Sequence, residues 1–596
     1  MHNPTDTPRP SLYFPYQVYA PWVPPHTGFE DVAPVVVVGA GPVGLTTALE
    51  VARHGVRCVV LEAERQVSEG SRAIVFTRRS MEILQQVGVA QRVVDGGLPW
   101  RFGNSVYRGQ RVYRMEAPHD PDDRFPPMTN IQQQYLEQHL VDACTAHPLV
   151  DLRWGNQVVS VQPGVDSADT GTGVGTGHEA VAQVDTPAGP YTLRTPWLVA
   201  TDGARSGIRS QLGLKLEGAS YEGRFVIADI RVDLPLPTER LAFFDPPWNP
   251  GNTVLMHREP HGIWRVDYQL PPGESPEEAL TPGALQARID AQLALIGHAG
   301  VPWALDWCSV YSARALTLPH YRHGRVLFAG DAAHLLPIFG VRGANTGFQD
   351  AQALGWRLGH VVRGWAPEAL LDSYSQERVG AAREIIEEAG KSTRFMTPPT
   401  RGFRLLRDAV LSLSLTQPFV GPLYHWRTSR PHEYTHSALN APDDDNARFE
   451  AGPGHGAPPQ NVCLEPGGPT HGADGEHLLD HLGGGFDLLW FTQGGALSPA
   501  VLDEVAHWRG QGLALRVVAI GPTQPVPGAD ATLPDPAQRC RQRYGVVADG
   551  AVYLLRPDQH VCARWLALDA PRLRSALAFA TAQPWAPTTA TPEAAT

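Results

Sequence analysis

Four consecutive valines, Val35–Val38, run straight into Gly39-Ala-Gly41-Pro-Val-Gly44. No other feature restricts the fold of this chain as tightly. A short apolar run of this kind fits a buried parallel strand. Residues 43–54 then read as a helix, Gly55 stands where a helix-ending glycine belongs, and 57–62 read as the next strand. The unit is β-α-β with a G-x-G-x-x-G turn at its first crossover. Gly39 makes the tight turn, Gly41 lets backbone approach a pyrophosphate, and Gly44 lets helix and strand pack closely. The helix N-terminus offers N–H groups and positive dipole to phosphate oxygens. Glu62 closes the second strand, at the place where an acid accepts hydrogen bonds from ribose hydroxyls. The other glycine cluster, Gly171–Gly177, has no strand directly before it and no amphipathic helix directly after it. It reads as a hairpin loop, so the chain carries one dinucleotide fold.

Around this unit the pattern changes repeatedly. Residues 1–33 are rich in proline and aromatics and aperiodic, an extended arm on the body or a disordered tail. Segments 80–87 and 132–146 read as helices, and 157–161 and 182–185 as paired strands. From 225 to 270 alternation dominates; in 263–268, Trp264, Val266 and Tyr268 share one face. Segment 325–329 is again a short buried strand, followed by helices over 346–363 and 370–390. Residues 395–460 turn proline- and glycine-rich, as a linker or embracing segment does. The last unit has strands over 486–491, 513–520 and 552–556 and helices over 499–510 and 571–581. The expected division is an N-terminal extension (1–33), a discontinuous dinucleotide-binding domain (34–103, 131–214, 315–395), an inserted antiparallel-sheet domain (104–130, 215–314), a linker (396–459), a C-terminal domain (460–583) and a tail (584–596).

Several classes of function drop out. Net charge is −12 with the charges interspersed, which argues against a nucleic-acid surface. No stretch reaches the ~18 apolar residues of a membrane helix, and the first residues lack the basic and apolar regions of a secretory signal. The six cysteines form no C-x-x-C pair and no metal-ligand spacing, and read as reduced core thiols of a cytoplasmic protein.

Two later segments bear on which dinucleotide is bound. A strand leads into Asp202-Gly203-Ala-Arg-Ser206-Gly-Ile-Arg209, and another into Gly330-Asp331-Ala-Ala-His334. An acid at a strand's C-terminal edge can accept hydrogen bonds from a polyol such as a ribityl chain. Each aspartate taken alone fits a helix N-cap equally well. In this order, behind the β-α-β start, the three motifs resemble the group A FAD-dependent aromatic hydroxylases of the para-hydroxybenzoate hydroxylase fold. The chain is most similar to phenol hydroxylases, 3-(3-hydroxyphenyl)propionate hydroxylases and polyketide hydroxylases. The resemblance spans about 35–387 and extends to the C-terminal unit.

That resemblance implies an α/β architecture: a Rossmann-like FAD-binding domain, an inserted antiparallel-sheet substrate domain and a C-terminal thioredoxin-like domain without C-x-x-C. It places Gly39, Gly41 and Gly44 against the FAD pyrophosphate, Glu62 on the adenosine ribose, Arg72 and Gln133 beside the cofactor, and Asp331 on the ribityl chain. Asp202 belongs to the motif associated with both FAD and the pyridine nucleotide. Downstream, Pro337-Ile-Phe-Gly340-Val-Arg-Gly343-Ala-Asn345 corresponds to P-P-x-G-G-x-G-[LM]-N, departing at Ile338 and Val341. Backbone N–H groups of Gly343, Ala344 and Asn345, at a helix start, would stabilise negative charge on reduced flavin. The implied reaction reduces FAD with NAD(P)H, forms a C4a-hydroperoxide with O2, and hydroxylates an electron-rich aromatic ring. Without a second Rossmann unit, the nicotinamide reaches a flavin that swings between two positions.

The substrate side is open. Trp264, Val266 and Tyr268 are pocket candidates, though each reads more readily as a core or surface residue; Pro337 and Phe339 adjoin the flavin loop. His257, and less directly Tyr268, could act on a phenol proton. His334 reads as structural. Arg556-Pro-Asp558 with Arg564-Trp565 resembles the closing segment of phenol hydroxylase relatives, implying a structural role and a homodimer contact. The alternatives are another enzyme on the FAD fold, an oxidase, reductase or halogenase, although no W-x-W-x-I-P segment is present. A flavin- or ligand-binding protein without hydroxylase activity is the other.

Overall fold

The computed structural model describes residues 2–70, 72–164, 178–271, 273–337, 339–424, 431–442, 445, 448–464, 475–535 and 537–584. The chain forms two compact units. The first comprises Met1–Asp120, Phe125–Gly355 and Arg378–Arg430; the second comprises Pro121–Arg124, Trp356–Glu377 and Pro431–Thr596.

In the first unit, Val35–Val38 is buried along its whole length at the centre of a six-stranded sheet. The strand order is Arg322–His323, Val326–Phe328, Trp197–Ala200, Val35–Val38, Cys58–Glu62 and Val150–Trp154. All neighbours run parallel except the Arg322–His323 edge. Each buried valine contributes about 1.5–3 kcal/mol relative to exposure, which is why a four-valine strand belongs inside such a sheet. Helix Pro42–Arg53 follows the first strand, with proline at its first turn and Gly55 in the left-handed region (φ 78°) just past its end.

An eight-stranded sheet runs in the order His334–Leu335, Ala304–Thr317, Glu217–Arg231, Ile263–Gln269, Thr253–Arg258, Arg240–Phe244, Phe102–Tyr107 and Gln110–Glu116. Only Arg240–Phe244 and Phe102–Tyr107 pair in parallel. Its two faces are chemically different. One packs Val226, Met256, Trp264, Val266 and Tyr268 against Leu285, Ile289 and Leu293 of helix Pro282–Leu295. The other gathers Phe225, Phe244 and Leu255 with Phe339. Gln157–Gln162 and Ala180–Asp185 pair antiparallel as expected, within a four-stranded sheet. Glu30–Val32 completes that sheet beside Tyr191–Thr195. The intervening glycine-rich loop lies mostly outside the described residues, as does the tail from 585.

The proline-rich stretch after 395 is more regular than its composition suggests. It contains helix Arg401–Ser414, capped by Thr400, whose hydroxyl accepts from the Phe403 N–H at 3.4 Å. Val410 and Leu411 are buried, while Leu405 and Leu406 are exposed. Flanking prolines drew the reading toward a linker, although prolines bracket a helix as readily as they exclude one.

The second unit has a five-stranded sheet ordered Ala531–Pro534, Leu515–Gly521, Phe486–Phe491, Val552–Leu555 and Val561–Trp565. Its first three strands are parallel and the last two antiparallel. Helices Pro499–Gly510 and Ala570–Ala580 cover it. No helix among the described residues is long and apolar enough to cross a membrane.

Candidate functional site

The three glycine- and aspartate-bearing turns lie side by side. They leave the C-terminal ends of Val326–Phe328, Trp197–Ala200 and Val35–Val38, three consecutive parallel strands of one sheet. Thr201 joins the first two turns: its N–H donates to Val38 O at 2.9 Å, and its hydroxyl to Val38 O at 2.8 Å. Arg209 joins the second and third, donating from Nη1 to Ala332 O at 2.9 Å and from Nη2 to Ala204 O at 2.8 Å.

The three glycines of the first turn differ. At Gly39 (φ 105°) a Cβ would sit 2.5 Å from Thr201 O, and at Gly44 it would sit 1.9 Å from Gly39 O. A Cβ at Gly41 would meet nothing within 4 Å. Gly39 and Gly44 are therefore required by packing, whereas Gly41 borders open space at the helix start. Leu45 N–H is the first to bond back, to Gly41 O at 3.0 Å, so the N–H groups of Val43 and Gly44 precede the helical ladder. This is a fit for a pyrophosphate.

Beyond it lies a groove of about 210 Å³ lined by Gly41, Glu62, Ser68, Arg72, Glu137 and Trp154, among others. Glu62 accepts from Ala40 N–H at 2.8 Å and Glu64 N–H at 2.9 Å. Burial raises its pKa, with those two N–H bonds opposing. Gln133 is committed to the protein: its Oε1 accepts from Ala73 N–H at 2.9 Å and its Nε2 donates to Glu137 at 2.7 Å. Glu137 also accepts from Ser68 N–H and hydroxyl, at 2.6 and 2.8 Å. Gln133 and Glu137 together fasten the segment that carries Arg72.

Asp202 Oδ2 accepts from Ile208 N–H at 3.1 Å, part of the cap expected for such a turn. Its Oδ1 is buried with no protein partner among the described residues. Desolvation raises its pKa. Asp331 is solvent-accessible at its own surface although protein surrounds it. Burial raises its pKa, and His334, Arg72 and Arg209 pull it down. The turn is held from below by Asp350, which accepts from Gly330 N–H at 3.0 Å, from His334 Nε2 at 2.6 Å and from Arg378 Nε at 2.6 Å. Burial opposes ionisation of Asp350, but Arg378 and His334 outweigh it and hold its pKa below the usual carboxylate value. His334 is wholly buried, with its Nε2 committed to Asp350.

Helix Gly343–Val362 starts at the same edge. Thr346 N–H bonds back to Arg342 O at 2.9 Å, leaving the N–H groups of Gly343, Ala344 and Asn345 ahead of the first helical bond. The Asn345 side chain is fully engaged. Its Oδ1 accepts from Thr77 N–H (2.9 Å) and Ser80 Oγ (2.6 Å), and its Nδ2 donates to Val75 O (2.9 Å) and Val341 O (2.7 Å). It locks the helix start onto strand Val75–Thr77. Val341, where glycine is expected, takes φ 55°, the left-handed region. Ile338 lies outside the described residues. Pro337 is buried, and Phe339 is buried with its ring edge-on to Phe225 at 5.3 Å.

The substrate candidates on strand Ile263–Gln269 need correction. Trp264, Val266 and Tyr268 do share a face, but it is the face under helix Pro282–Leu295, away from Phe339. Alternation showed that they point together and could not show to which side. The interleaved residues occupy the side of interest. Arg265 pairs with Asp229 at 2.8 and 2.9 Å and donates to Arg72 O at 3.4 Å. His257 is its cross-strand neighbour. Burial, with Arg240 and Arg265 nearby, drives the His257 pKa well below its usual value. Its Nδ1 and both carboxylate oxygens of Glu259 are buried without hydrogen-bond partners among the described residues, although Glu259 Oε1 lies 3.6 Å from Arg265 Nε as an ion pair. Desolvation raises the Asp267 pKa to about 7. The polar layer formed by Asp229, Glu259, Arg265 and Asp267 was missed because charged residues on alternating strand positions read as solvent-facing. The clue was their position opposite a wholly apolar face in a chain with two candidate layers to cover.

Comparison with known proteins supports the same reading. A family described as an FAD binding domain matches residues 32–389. The 3-(3-hydroxy-phenyl)propionate/3-hydroxycinnamic acid hydroxylase of Mycobacterium avium (strain 104) is 29% identical over 564 residues, 91% of this chain and 91% of that protein. Its counterpart in Paraburkholderia xenovorans (strain LB400) is 30% identical over 379 residues, 63% of this chain and 58% of that protein. The flavin-dependent monooxygenase PieE, solved with FAD and substrate, superposes with a TM-score of 0.75 at 24% identity, covering 94% of this chain and 100% of that one. Aklavinone-11 hydroxylase, solved with FAD and aklavinone, gives 0.70 at 25% identity, with the same coverage. The resemblance first carried by three short motifs thus holds over most of the sequence, and the chain belongs to the FAD binding domain family.

Proposed function

We propose that this protein hydroxylates a phenolic or related aromatic ring, using NAD(P)H and O2 and bound FAD. One observation carries the reading: the turns at Gly39–Gly44, Asp202–Gly203 and Gly330–Asp331 meet at one sheet edge. When bound, FAD supplies the redox chemistry that takes electrons from NAD(P)H and activates O2 for transfer of one oxygen atom. The chain's residues bind and orient. The N–H groups of Val43 and Gly44 receive the pyrophosphate, with Gly41 leaving room for it. Glu62 accepts from the adenosine ribose, and Asp331 from the ribityl chain. Asp202 Oδ1, buried and unpartnered among the described residues, awaits a donor on the cofactor side. The N–H groups of Gly343, Ala344 and Asn345 stabilise negative charge at the flavin's pyrimidine end. His257, kept neutral by burial and by Arg240 and Arg265, offers Nδ1 as a hydrogen-bond acceptor that orients a phenol hydroxyl rather than taking its proton. Likeness to hydroxyphenylpropionate hydroxylases favours a phenol bearing a side chain. The five-stranded sheet of the second unit supports a thioredoxin-like domain, three parallel strands followed by two antiparallel ones, here with buried free cysteines and no C-x-x-C. Free thiols also fit a cytoplasmic location.

The test is NAD(P)H consumption by FAD-loaded protein against a panel of phenols. The expected outcome is a phenol that stimulates oxidation and yields hydroxylated product equal to the O2 consumed. Peroxide without hydroxylated product for every phenol would instead identify an oxidase or an uncoupled flavin binder.

A further inference from the structure

Nearly all of the first 33 residues lie outside the stretch matched to the FAD binding family, which begins at 32. Yet they are fastened along the groove described above. His2 Nε2 lies 2.6 Å from Ala63 O, and Thr7 O accepts from Gln66 Nε2 at 3.1 Å. The Tyr16 hydroxyl donates to Ser68 O at 3.1 Å and accepts from Gly70 N–H at 3.3 Å. Tyr19 stacks flat on Trp154, a wall of the groove, with ring centroids 4.5 Å apart and planes 4° from parallel. Between these anchors Arg9 enters the groove lining itself. Its backbone N–H donates to Gln66 Oε1 at 3.0 Å and its Nη1 to Val67 O at 2.6 Å.

We propose that residues 2–22 form a strap over the adenosine half of the FAD groove, and that Arg9 is a cofactor-binding residue carried by it. The charge balance of the groove argues for this. Glu62, Glu64, Glu69 and Glu137 line it, against Arg9 and Arg72 as the cations among the described lining residues. FAD brings two further negative charges on its pyrophosphate, so a groove with four acids needs cations on that side. Arg9 is positioned by its backbone N–H, by one guanidinium hydrogen bond and by an ion pair to Glu64 at 3.8 Å, and a guanidinium has five N–H donors, which leaves others to face the ligand. The anchored aromatics on either side preorganise the segment, so little ordering cost falls on binding. FAD can leave only after the strap loosens, which makes slow dissociation its main effect.

The experiment titrates apo-protein with FAD and with FMN, which lacks the adenosine half, by flavin fluorescence. The variants are Arg9→Ala, Arg9→Lys and a chain lacking residues 2–22, with thermal unfolding of each apo form. Arg9→Ala should weaken FAD binding about tenfold, the loss of a charge-assisted contact. FMN binding should stay within about twofold of the parent, a change too small to signal a lost contact. Arg9→Lys should recover part of the affinity, and the deletion should speed FAD release further. Unchanged FAD affinity in Arg9→Ala overturns the proposal, as does an equal loss for FAD and FMN, which marks a purely structural role. If the deletion chain does not fold, the Arg9 pair decides alone.

Discussion

Val341 is a β-branched residue held at φ 55°, packed among Ile74, Val75, Trp100 and Met128. Left-handed backbone costs a non-glycine residue about 1–3 kcal/mol, and most for branched side chains. The residue that departs from the glycine expected there has kept the glycine's conformation. Val341→Gly loses packing but relieves strain, while Val341→Ala loses packing and keeps most of the strain. The glycine variant should therefore be the more stable of the two by about 1 kcal/mol in denaturant unfolding. The reverse order would mean that the backbone is not strained here. Asp267 offers a second test at the same scale. Its folded pKa, about 7, is raised by desolvation above the ordinary aspartate value. Between roughly pH 4 and 7 the folded state keeps a proton that the unfolded state has released, so this residue's contribution to stability falls as pH rises through that window and is flat above it. Asp267→Asn removes the slope. Relative to the parent it should gain on the order of 2 kcal/mol between pH 5 and pH 8. A pH-independent difference would show that Asp267 titrates normally.

Among the elements, helix Gly343–Val362 does two jobs at the sheet edge. Its first turn presents free N–H groups, and one turn later Asp350 reaches the Gly330 turn. Asp350, His334 and Arg378 are completely buried. Asp350→Asn leaves the Arg378 guanidinium buried without its counter-charge, a loss of about 3–5 kcal/mol. It should also loosen the Gly330–Asp331 turn, so FAD affinity should fall with stability. Adding Arg378→Met to Asp350→Asn should recover part of the stability, because the stranded charge is gone. Loss of less than about 1 kcal/mol in the single variant would show that the network is not held as an ion pair. Much of this element was legible beforehand. Gly39, Asp202 and Asp331 follow apolar strands, and their order alone predicts adjacent turns. The partners of those turns were not legible. Asp350 and Arg378 sit on polar helix positions that look solvent-exposed, and only the packing of distant segments shows that they are buried. The same limit explains Trp264, Val266 and Tyr268, whose shared face was right and whose direction depended on helix Pro282–Leu295 covering it.

At the scale of the whole molecule, chain order and compact units do not coincide. The β-α-β start, the antiparallel sheet and the C-terminal strands were each readable from local periodicity. The membership of 356–377 was not, because those residues continue helices that begin in, or run on into, the FAD-binding unit, yet they pack within the C-terminal one. Charge pairing accounts for their place. Glu377 accepts from Arg357 Nη2 at 2.5 Å and from Arg556 Nη1 at 2.6 Å, and Asp558 accepts from Arg556 Nη2 and Trp356 Nε1 at 2.9 and 3.0 Å. Burial opposes ionisation of Glu377, but the two arginines bring its pKa down to about 2. Its contribution to stability is thus present above the ordinary glutamate pKa and lost as pH falls toward 2. The Arg556-Pro-Asp558 segment is one half of a buried network whose other half lies some 180 residues earlier in the sequence. A fragment covering only 431–584 lacks Arg357 and Glu377, so Arg556 keeps Asp558 alone and Trp356 is missing from the core. Such a fragment should lose about 3–5 kcal/mol of its unit's stability, enough to abolish a marginal fold. Glu377→Gln in the full chain should lower the unfolding midpoint of the same unit without removing its structure. Urea unfolding followed by tryptophan fluorescence separates the cases. A fragment that unfolds in one cooperative transition, with an m-value proper to its size, would mean that the network adds little and that the C-terminal unit is complete without 356–377.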